Sequence, residues 1–393
     1  MRRKVLLFVS GLAFFALPVF VASSVARAAT VIVVGQNAAL CPGAQFAKIQ
    51  DAVNAASAGD SIQICPGTYA EQVSVTKPLQ LNGNNGAIIR PSNVAANSTG
   101  VASGQPIAAI VIVQDTTDVT IRDVIVDGSD NGISQCAPDL IGVFYRNASG
   151  ELSHVAVRNV KLGSSLNGCQ SGSAILVQSG GGTSSVVAIE KSSIHDYQKN
   201  GITANETGTQ VTIEGNVVTG LGPTAGATQN GIQIGFGAAG SIQHNTVANH
   251  ISSACISLAS CNSSADDILV FQSDGVTVDH NALGISQTGI VIVGNHAEVF
   301  DNDVFDTKIF DGLALIGNQS TAELNRITDS EQAGVLISGN GNVVQKNTIN
   351  ESAVGILKTP GSVGNGIANN SYFNSPIKLQ DPAVTFAQPS PYR

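Results

Sequence analysis

Apolar and polar residues alternate over short stretches along most of the chain, and these stretches recur in a common frame. A frame opens with a pair such as Gly-Ile, passes through a polar turn, and continues into Val-x-Ile-x-x-Asn. The closing residues Asn281, Asn302, Asn325, Asn347 and Asn370 are 21, 23, 22 and 23 residues apart. Alternation with period two predicts β-strands, and a repeat near 22 residues predicts one coil of a parallel β-helix per frame.

Earlier frames are longer, and Val124, Val160 and Ser192 take the closing position in them. We interpret their extra residues as loops added to the same scaffold. The ten closing residues from Val124 to Asn370 predict ten coils, with one or two more before them, in a single domain. Leucine-rich repeats share this period, but the Leu-rich consensus is missing.

The closing asparagines have a structural explanation. Asn tolerates the left-handed backbone conformation of a tight corner, and its amide can bond the Asn one coil away. We therefore expect a ladder of buried, mutually bonded asparagines, each in a left-handed corner. Its members would be Asn216, Asn245, Asn281, Asn302, Asn325, Asn347 and Asn370.

The segment before the frames predicts a cap. Residues 46–56 have apolar positions at helical spacing, and Ser-Ile-Gln-Ile at 61–64, Cys-Pro-Gly-Thr-Tyr at 65–69 and Glu-Gln-Val at 71–73 follow. With the repeats, this order resembles the pectin-lyase-like right-handed parallel β-helix superfamily, over residues 44–375, without pointing to a specific enzyme family. The resemblance implies an all-β fold: a single-stranded right-handed parallel β-helix whose open end is covered by an N-terminal helix.

The N-terminus predicts export. Arg2, Arg3 and Lys4 precede an apolar stretch over residues 5–21, and Ala26-Arg27-Ala28 matches a signal-peptidase site. An uncleaved membrane anchor is the alternative, although Pro18 interrupts the stretch. We expect a signal peptide at 1–28 and a β-helix domain at 29–393, with a cap at about 44–60, coils at about 61–375 and a tail at 376–393. The mature chain would be secreted or periplasmic and free of the membrane.

Composition narrows the function classes. Charged residues make up 12% of the chain and hydrophobic residues 43%, which argues against disorder. The 42 glycines disfavour a helical bundle. A net charge of −9 disfavours a nucleic-acid partner.

The six cysteines are expected to form disulfides, because export favours oxidation. Thiolate metal ligation is the alternative, but there is no C-x-x-C pair. Cys41 and Cys65 flank the first helical segment, Cys136 and Cys169 each precede a strand in adjacent repeats, and Cys255 and Cys261 are close neighbours in sequence. From these positions we predict three bonds: Cys41–Cys65, Cys136–Cys169 and Cys255–Cys261.

The superfamily's enzyme motifs are missing. The chain lacks the Asn-Thr-Asp and Gly-His-Gly motifs of polygalacturonases, the pectin methylesterase motifs and the Asp-Pro-His-Glu of alginate epimerases. The residues predicted to point outward from the first strand of each frame are neutral and, toward the C-terminus, apolar. They are Thr203, Asn205, Gln233, Val291, Val293, Ala314, Ile316 and Leu336. This disfavours a polyuronide-cleaving groove, and loops or a partner would cover the apolar part.

One acidic constellation remains as a candidate site. Asp306, Asp329 and Glu351 lie four residues after successive closing asparagines, and Asp311, Glu331 and Lys308 are their neighbours. Carboxylates stacked one coil apart recruit a cation such as Ca²⁺ or raise a pKa, and carbohydrate-active enzymes use such pairs as catalytic acid and base. The alternative is that acidic residues are simply favoured in solvated turns.

Two histidines form a second candidate. His244 and His280 precede successive closing asparagines, and Asp301 occupies the same position one coil further. Such a row could bind a transition metal, or its side chains could be solvated on the surface.

These observations leave three function classes. The first is an exported β-helix protein that acts on or binds an extracellular or cell-envelope polysaccharide or oligosaccharide; if it is an enzyme, it would be a lyase, hydrolase or epimerase. The second is a non-catalytic structural or surface-interaction β-helix. The third is a periplasmic metal-handling protein, which the single Met and six His disfavour.

Overall fold

The computed structural model describes residues 28–258, 261 and 263–381. The chain is a right-handed parallel β-helix: each coil contributes one strand to each of three parallel sheets, named A, B and C here. Along the chain the order is C, then A, then B. The core is the bore of the helix, filled by Ile, Val and Leu side chains from all three sheets. The predicted fold is confirmed, and the predicted signal peptide at 1–28 lies almost wholly outside the described residues.

The strand bounds follow. Sheet A contains Val31–Val34, Ser61–Ile64, Gln80–Gly83, Val119–Arg122, Gly150–Ser153, Ser185–Glu190, Thr209–Glu214, Ala239–Gln243, Thr277–Asp279, Glu298–Phe300, Thr321–Glu323, Val343–Gln345 and Gly366–Ala368. Sheet B contains Gly67–Tyr69, Ala87–Ile89, Ile125–Asp127, Ala156–Arg158, Ser193–His195, Val217–Thr224, Thr246–Ser252, Ala282–Ser286, Asp303–Thr307, Arg326–Ser330, Thr348–Asn350 and Ser371–Phe373. Sheet C contains Val73–Val75, Pro106–Gln114, Asp139–Arg146, Ser173–Gln178, Asn200–Asn205, Asn230–Gly235, Asp266–Phe271, Thr288–Ile292, Leu313–Leu315, Ala333–Ile337, Val354–Lys358 and Ile377–Gln380, and the short strand Ser98–Thr99 pairs antiparallel with it.

The N-terminal end is covered by the α-helix Ile49–Ala55, which is shorter than the predicted 46–56. Its buried face consists of Ile49, Ala52 and Val53. The Glu71 carboxylate, from a later loop, accepts hydrogen bonds from the backbone N–H groups of Ile49 and Gln50 at 2.8 and 2.9 Å. A carboxylate at this end compensates both the free N–H groups and the helix dipole. A 3₁₀ turn, Ser164–Leu166, lies in a later loop.

The predicted asparagine ladder is present. From Asn216 to Asn370, each Nδ2 donates to the Oδ1 of the next ladder residue at 2.9–3.0 Å. The predicted left-handed asparagines are wrong, however. The positive φ belongs to the residue before each ladder Asn, as in His280 (φ 53°) and Asp301 (φ 53°). The preceding residue turns the chain, which leaves the Asn side chain free to point into the bore.

The predicted closing residue Val160 is also wrong. The ladder continues from Asn216 to Ser192, and the Ser192 hydroxyl accepts a hydrogen bond from the backbone N–H of Val155 at 3.2 Å. His154, just before Val155, carries the positive φ of this corner. Val160 follows the strand Ala156–Arg158 and is buried further along the coil. Two Val residues five positions apart could not be told apart without the register of the sheets.

A second ladder runs along the corner between sheets B and C. Ser286, Thr307 and Ser330 are in register, buried, and each follows a residue with positive φ. Each lies five residues after a ladder Asn, and Ser352 continues the row. The Ser286 and Ser352 hydroxyls each bond a carbonyl two residues away in sequence, at 3.2 and 3.4 Å, whereas the Thr307 and Ser330 hydroxyls have no partner among the described residues. Small side chains are thus the shared property of this corner.

Larger groups replace the hydroxyl in two coils. His250 and Tyr197 stand at this corner, and Asp267 stands where neighbouring coils have Gly231 and Gly289. The His250 Nδ1–H donates to Asp267 Oδ1 at 2.7 Å, and Nε2 accepts from the Tyr197 hydroxyl. The Ser286 hydroxyl donates to Asp267 Oδ2 at 2.8 Å. All four side chains are fully buried, so the cluster is a satisfied polar network in the core and not a reactive site.

All six cysteines are paired. The bonds are Cys41–Cys65, Cys136–Cys169 and Cys255–Cys261, which are the three predicted pairs. Within the part of the chain that is described, no helix is long and apolar enough to cross a membrane.

Candidate functional site

The outer face of sheet C is covered at its N-terminal end. There an apolar outer cluster that includes Ile112 and Phe144 is buried, and the segment before Pro106–Gln114 lies over it. Asn97 on this segment bonds the backbone of Ala109 in both directions at 2.9 Å. Toward the C-terminus, Val291, Ala314 and Leu336 are buried as well, so the predicted apolar part of the face is not an open surface.

Between these ends lies a row of amide and hydroxyl side chains, the amide strip, formed by Asn200, Thr203, Asn205, Asn230 and Gln233. Asn200 Nδ2 donates to the Thr203 hydroxyl at 3.0 Å and to Gln233 Oε1 at 3.3 Å. Gln233 Nε2 donates to Asn205 Oδ1 at 3.1 Å. Because the amides hold one another, their remaining donors and acceptors have fixed directions, which is what a site for a polar, uncharged ligand requires.

The sheet register explains this arrangement. Thr203 pairs with Gln233, and Asn205 pairs with Gly235, so the strip runs across two coils on one face. A Cβ atom at Gly235 would lie 3.0 Å from Asn205 Oδ1. A glycine here therefore leaves room for the Asn205 and Gln233 amides.

Two aromatic rings border the strip. Phe271 continues the register of Asn205 and Gly235, and its ring packs edge-on against Phe236 with the centroids 5.4 Å apart. Phe236 is 43% exposed. Its φ of 57° is uncommon for a bulky residue and marks a strained turn. An exposed ring beside fixed amides offers an apolar surface and polar contacts to the same ligand.

An acid and a base lie at the other border. Burial raises the pKa of Asp266 to about 7. Burial also lowers the pKa of Lys199, whose ammonium donates to the Thr228 carbonyl at 2.7 Å. A carboxyl group with such a pKa suits general-acid chemistry. Asp266 is only 2% exposed, and Asn200, Thr203 and Asn230 of the strip are buried as well. Asn205 and Gln233 are half-buried, so they are the strip residues that a ligand can reach, and the geometry supports binding there more than catalysis at the Asp266 carboxyl.

The predicted acidic row is aligned. Asp306, Asp329 and Glu351 all occupy the positive-φ position at the end of sheet B, with φ of 54–58°, in coils whose strands are in register. The Lys308 ammonium bonds Asp306 and lies 3.9 Å from Glu331 Oε1. These carboxylates raise the pKa of Lys308, mainly through the bond to Asp306. A cation from the chain itself thus lies within the row.

The two other predicted neighbours have separate roles. The Glu331 carboxylate accepts a hydrogen bond from the backbone N–H of Ile309 at 2.8 Å. Asp311 is buried, and desolvation raises its pKa to about 8. Its carboxylate accepts a bond from the Ala333 backbone, while its Oδ1 has no partner among the described residues. Asp311 is therefore separated from the exposed row.

Calcium binding at this row stays a prediction, since the described residues contain no group of three or more His, Cys, Asp and Glu side chains that could hold a metal ion. It requires that Ca²⁺ raise the melting temperature and that Asp329→Asn remove most of the rise, since a ligand bound only to the native state stabilises it. Lys308→Met should enlarge the rise, because the competing ammonium is then absent. Differential scanning fluorimetry with and without Ca²⁺ measures all three proteins. If neither the wild type nor Lys308→Met responds, the row is a solvated turn.

The histidine row is also brought together. The rings of His244 and His280 stack with centroids 4.9 Å apart. His280 Nδ1 bonds Asp279 at 2.8 Å, and its Nε2 lies 3.8 Å from Asp301. Among the described residues there is no group of three or more His, Cys, Asp and Glu side chains that could hold a metal ion.

Comparison with known proteins agrees with the fold. A family model described as periplasmic copper-binding protein (NosD) matches residues 252–388, less than half of the chain. Among solved structures, the GH136 lacto-N-biosidase from Eubacterium ramulus is similar at a TM-score of 0.57 and 11% identity, covering 88% of this chain and 68% of that one. These similarities agree with the right-handed parallel β-helix fold.

A tailspike protein and a bacteriophage protein also have a similar fold. The Dettilon tailspike protein (gp208) has a TM-score of 0.55 at 12% identity over 80% of this chain and 62% of its own. The N-terminal fragment of bacteriophage Phi29 gene product 12 has a TM-score of 0.53 at 12% identity, over 81% of this chain and 62% of its own. A search of curated protein sequences found no match. At these identities the similarity defines the fold alone.

Within the range that the copper-binding family model matches, His280 and Asp301 belong to the predicted histidine row. His280 has one ring nitrogen engaged by Asp279, and its other nitrogen faces Asp301. Since no ligand group of three is found in the described part of the chain, these residues do not fit a metal centre.

Proposed function

We propose that this protein is an exported β-helix that binds a neutral polysaccharide or oligosaccharide along the amide strip of sheet C. The observation that carries the proposal is the pairing of pre-bonded amides with an exposed ring: Gln233 and Asn205 on one side, Phe236 on the other. Sugars present hydroxyl groups at their edges and C–H groups on their faces, so a ligand of this class uses both surfaces.

The charge of the strip selects the ligand class. Its five residues are uncharged, and no Lys ammonium or Arg guanidinium of the described residues is bonded to them. A uronic-acid polymer carries a carboxylate on every unit and would lose hydration there without gaining an ion pair. The strip therefore favours neutral sugars over polyuronides.

Export is supported by the cysteines. Three disulfides are expected in an oxidising compartment and are rare in the cytosol. A periplasmic or secreted location places the protein where envelope and extracellular glycans occur. The chain's similarity to a lacto-N-biosidase and to a tailspike is compatible with this, but the proposal rests on the strip.

The test is a binding titration of purified protein against a panel of neutral and uronic-acid glycans, with calorimetry as the readout. We expect a neutral glycan to bind, and we expect Gln233→Ala and Phe236→Ala to weaken its affinity by about tenfold or more. Each change removes a contact without altering the core.

Gln243→Ala is the matched control. Gln243 is a half-buried Gln in the same coil as Gln233, on sheet A instead of sheet C. Its replacement should leave the affinity unchanged. The proposal fails if no glycan in the panel binds, or if Gln233→Ala and Gln243→Ala have equal effects.

A further inference from the structure

A second site is built on sheet B, away from the amide strip. A pocket of about 380 Å³ is lined by Ser193, His195, Asp196, Thr219, Gly220 and Leu221. Ile194 and Val218 on the same strands are fully buried in the bore, so the lining residues beside them belong to the outer face. The volume lies at the lower end of the range for small-molecule sites.

An oriented imidazole forms the polar side of the pocket. The His195 Nδ1–H donates to Asp196 Oδ2 at 2.7 Å. Asp196 has a φ of 57°, and this turn brings its carboxylate back beside the preceding side chain. The bond assigns the Nδ1–H tautomer of the neutral ring, so that Nε2 is an acceptor. Nε2 bonds no described residue.

The charges around the pocket cancel. The Lys161 ammonium lies 3.4 Å from Asp196 Oδ1. The bond from His195 and the nearby Lys161 hold the pKa of Asp196 below its usual value. Arg158, in register with His195 one coil earlier, is paired with Asp127 at 2.8 Å. With both cations matched by carboxylates, the pocket offers an anion no unpaired positive charge.

The remaining lining combines hydroxyl groups with an apolar side chain. Thr219 is in register with His195 in the following coil, and Ser193 precedes His195 by two residues on the same face. Leu221 is 38% exposed. The pocket thus has an acceptor nitrogen, two hydroxyls and an apolar side chain within one small volume.

We propose that this pocket binds one ring of a neutral sugar, with His195 Nε2 accepting a hydrogen bond from a ring hydroxyl and Leu221 contacting the C–H face. Neutrality excludes a simple anion site, and the mixture of hydroxyls with an apolar side chain matches a sugar ring. The site lies on a different sheet from the amide strip, so the two proposals stand or fall separately.

The test uses saturation-transfer NMR and calorimetry on the full mature chain with glucose, galactose, mannose and N-acetylglucosamine, and with glucuronate as the anionic comparison. At least one neutral sugar should bind, and glucuronate should not. His195→Gln and Leu221→Ser should each weaken binding by about tenfold or more. Gln233→Ala should leave this monosaccharide binding intact, which separates the pocket from the strip.

His280→Gln is the matched control. His280 is also a surface histidine with Nδ1 bonded to a carboxylate, at 2.8 Å, but it lies at the corner between sheets A and B of a later coil. Its replacement should not change binding. The proposal is overturned if none of the neutral sugars binds the wild type, if glucuronate binds as well as they do, or if His195→Gln and His280→Gln behave alike.

Discussion

We expect Asn302→Ala to lower the free energy of unfolding by about 3–5 kcal/mol. Asn302 Nδ2 donates to the Val278 carbonyl, the Phe300 carbonyl and Asn325 Oδ1 at 2.9–3.1 Å. Its Oδ1 accepts from both the backbone and the side chain of Asn281 at 2.9–3.0 Å. Alanine leaves these groups without partners inside the bore, where water cannot replace the lost bonds. Urea denaturation followed by circular dichroism measures the change.

Asn318→Ala provides a control in the same architecture. Asn318 belongs to an exposed asparagine row, where its Nδ2 donates to Asn295 Oδ1 at 3.0 Å and its Oδ1 accepts from the Asn340 backbone at 2.8 Å. Water can take over these bonds, so the loss should stay below about 1 kcal/mol. Equal losses for the two variants would show that burial of the ladder is not what stabilises it.

We expect the protein to be most stable in mild acid and to lose stability as the pH rises toward about 8. The reason is Asp311, because burial raises the pKa of its carboxyl group from the ordinary 3.8 to about 8. A group whose folded pKa is raised contributes stability that is full below its unfolded pKa and is lost as the pH rises through the folded value. Burial also raises the pKa of Asp266 to about 7 and the pKa of Asp267 to about 6. Both shifts likewise make the folded state less stable as the pH rises. Melting temperatures across pH 4 to 9 measure the trend.

Asp311→Asn should remove Asp311's share of this dependence. The variant should melt above the wild type at pH 9, where the wild type must bury a charge, and the advantage should shrink toward pH 4. Asp123→Asn, a surface replacement at a positive-φ position, is the control and should follow the wild-type profile. Stability that rises toward pH 9, or an Asp311→Asn profile identical to the wild type, would contradict the assignment.

The fold could be predicted from the sequence because its main signals are local and repeated. The closing asparagines recur near every 22 residues and bond one another as expected. Register could not be predicted where insertions separate the repeats, and the sequence pattern therefore places Val160 at the corner that Val155 occupies. The residue in the left-handed conformation is the one before each closing Asn. The sequence does not show this, because Asn itself tolerates that conformation.

The candidate sites were predicted less well, since they depend on what the loops bury. The sequence pattern places Thr203, Asn205 and Gln233 on the outer face, but a neutral face disfavours a polyuronide-cleaving groove and gives no positive sign of a binding strip. Asp266 gives no sign in the sequence that it is buried. A detectable signal did exist for the second ladder: Ser or Thr recurs five residues after Asn281, Asn302 and Asn325.

The most direct test of glycan binding at sheet C is hydroxyl-radical footprinting with the tightest-binding neutral glycan of the panel. The rings of Phe236 and Phe271 border the strip, whereas Phe305 and Phe373 lie on sheet B and are 41% and 56% exposed. We predict that the glycan protects Phe236 and Phe271 from oxidation and leaves Phe305 and Phe373 unchanged. Protection of the sheet B rings with none at Phe236 would contradict the proposed function.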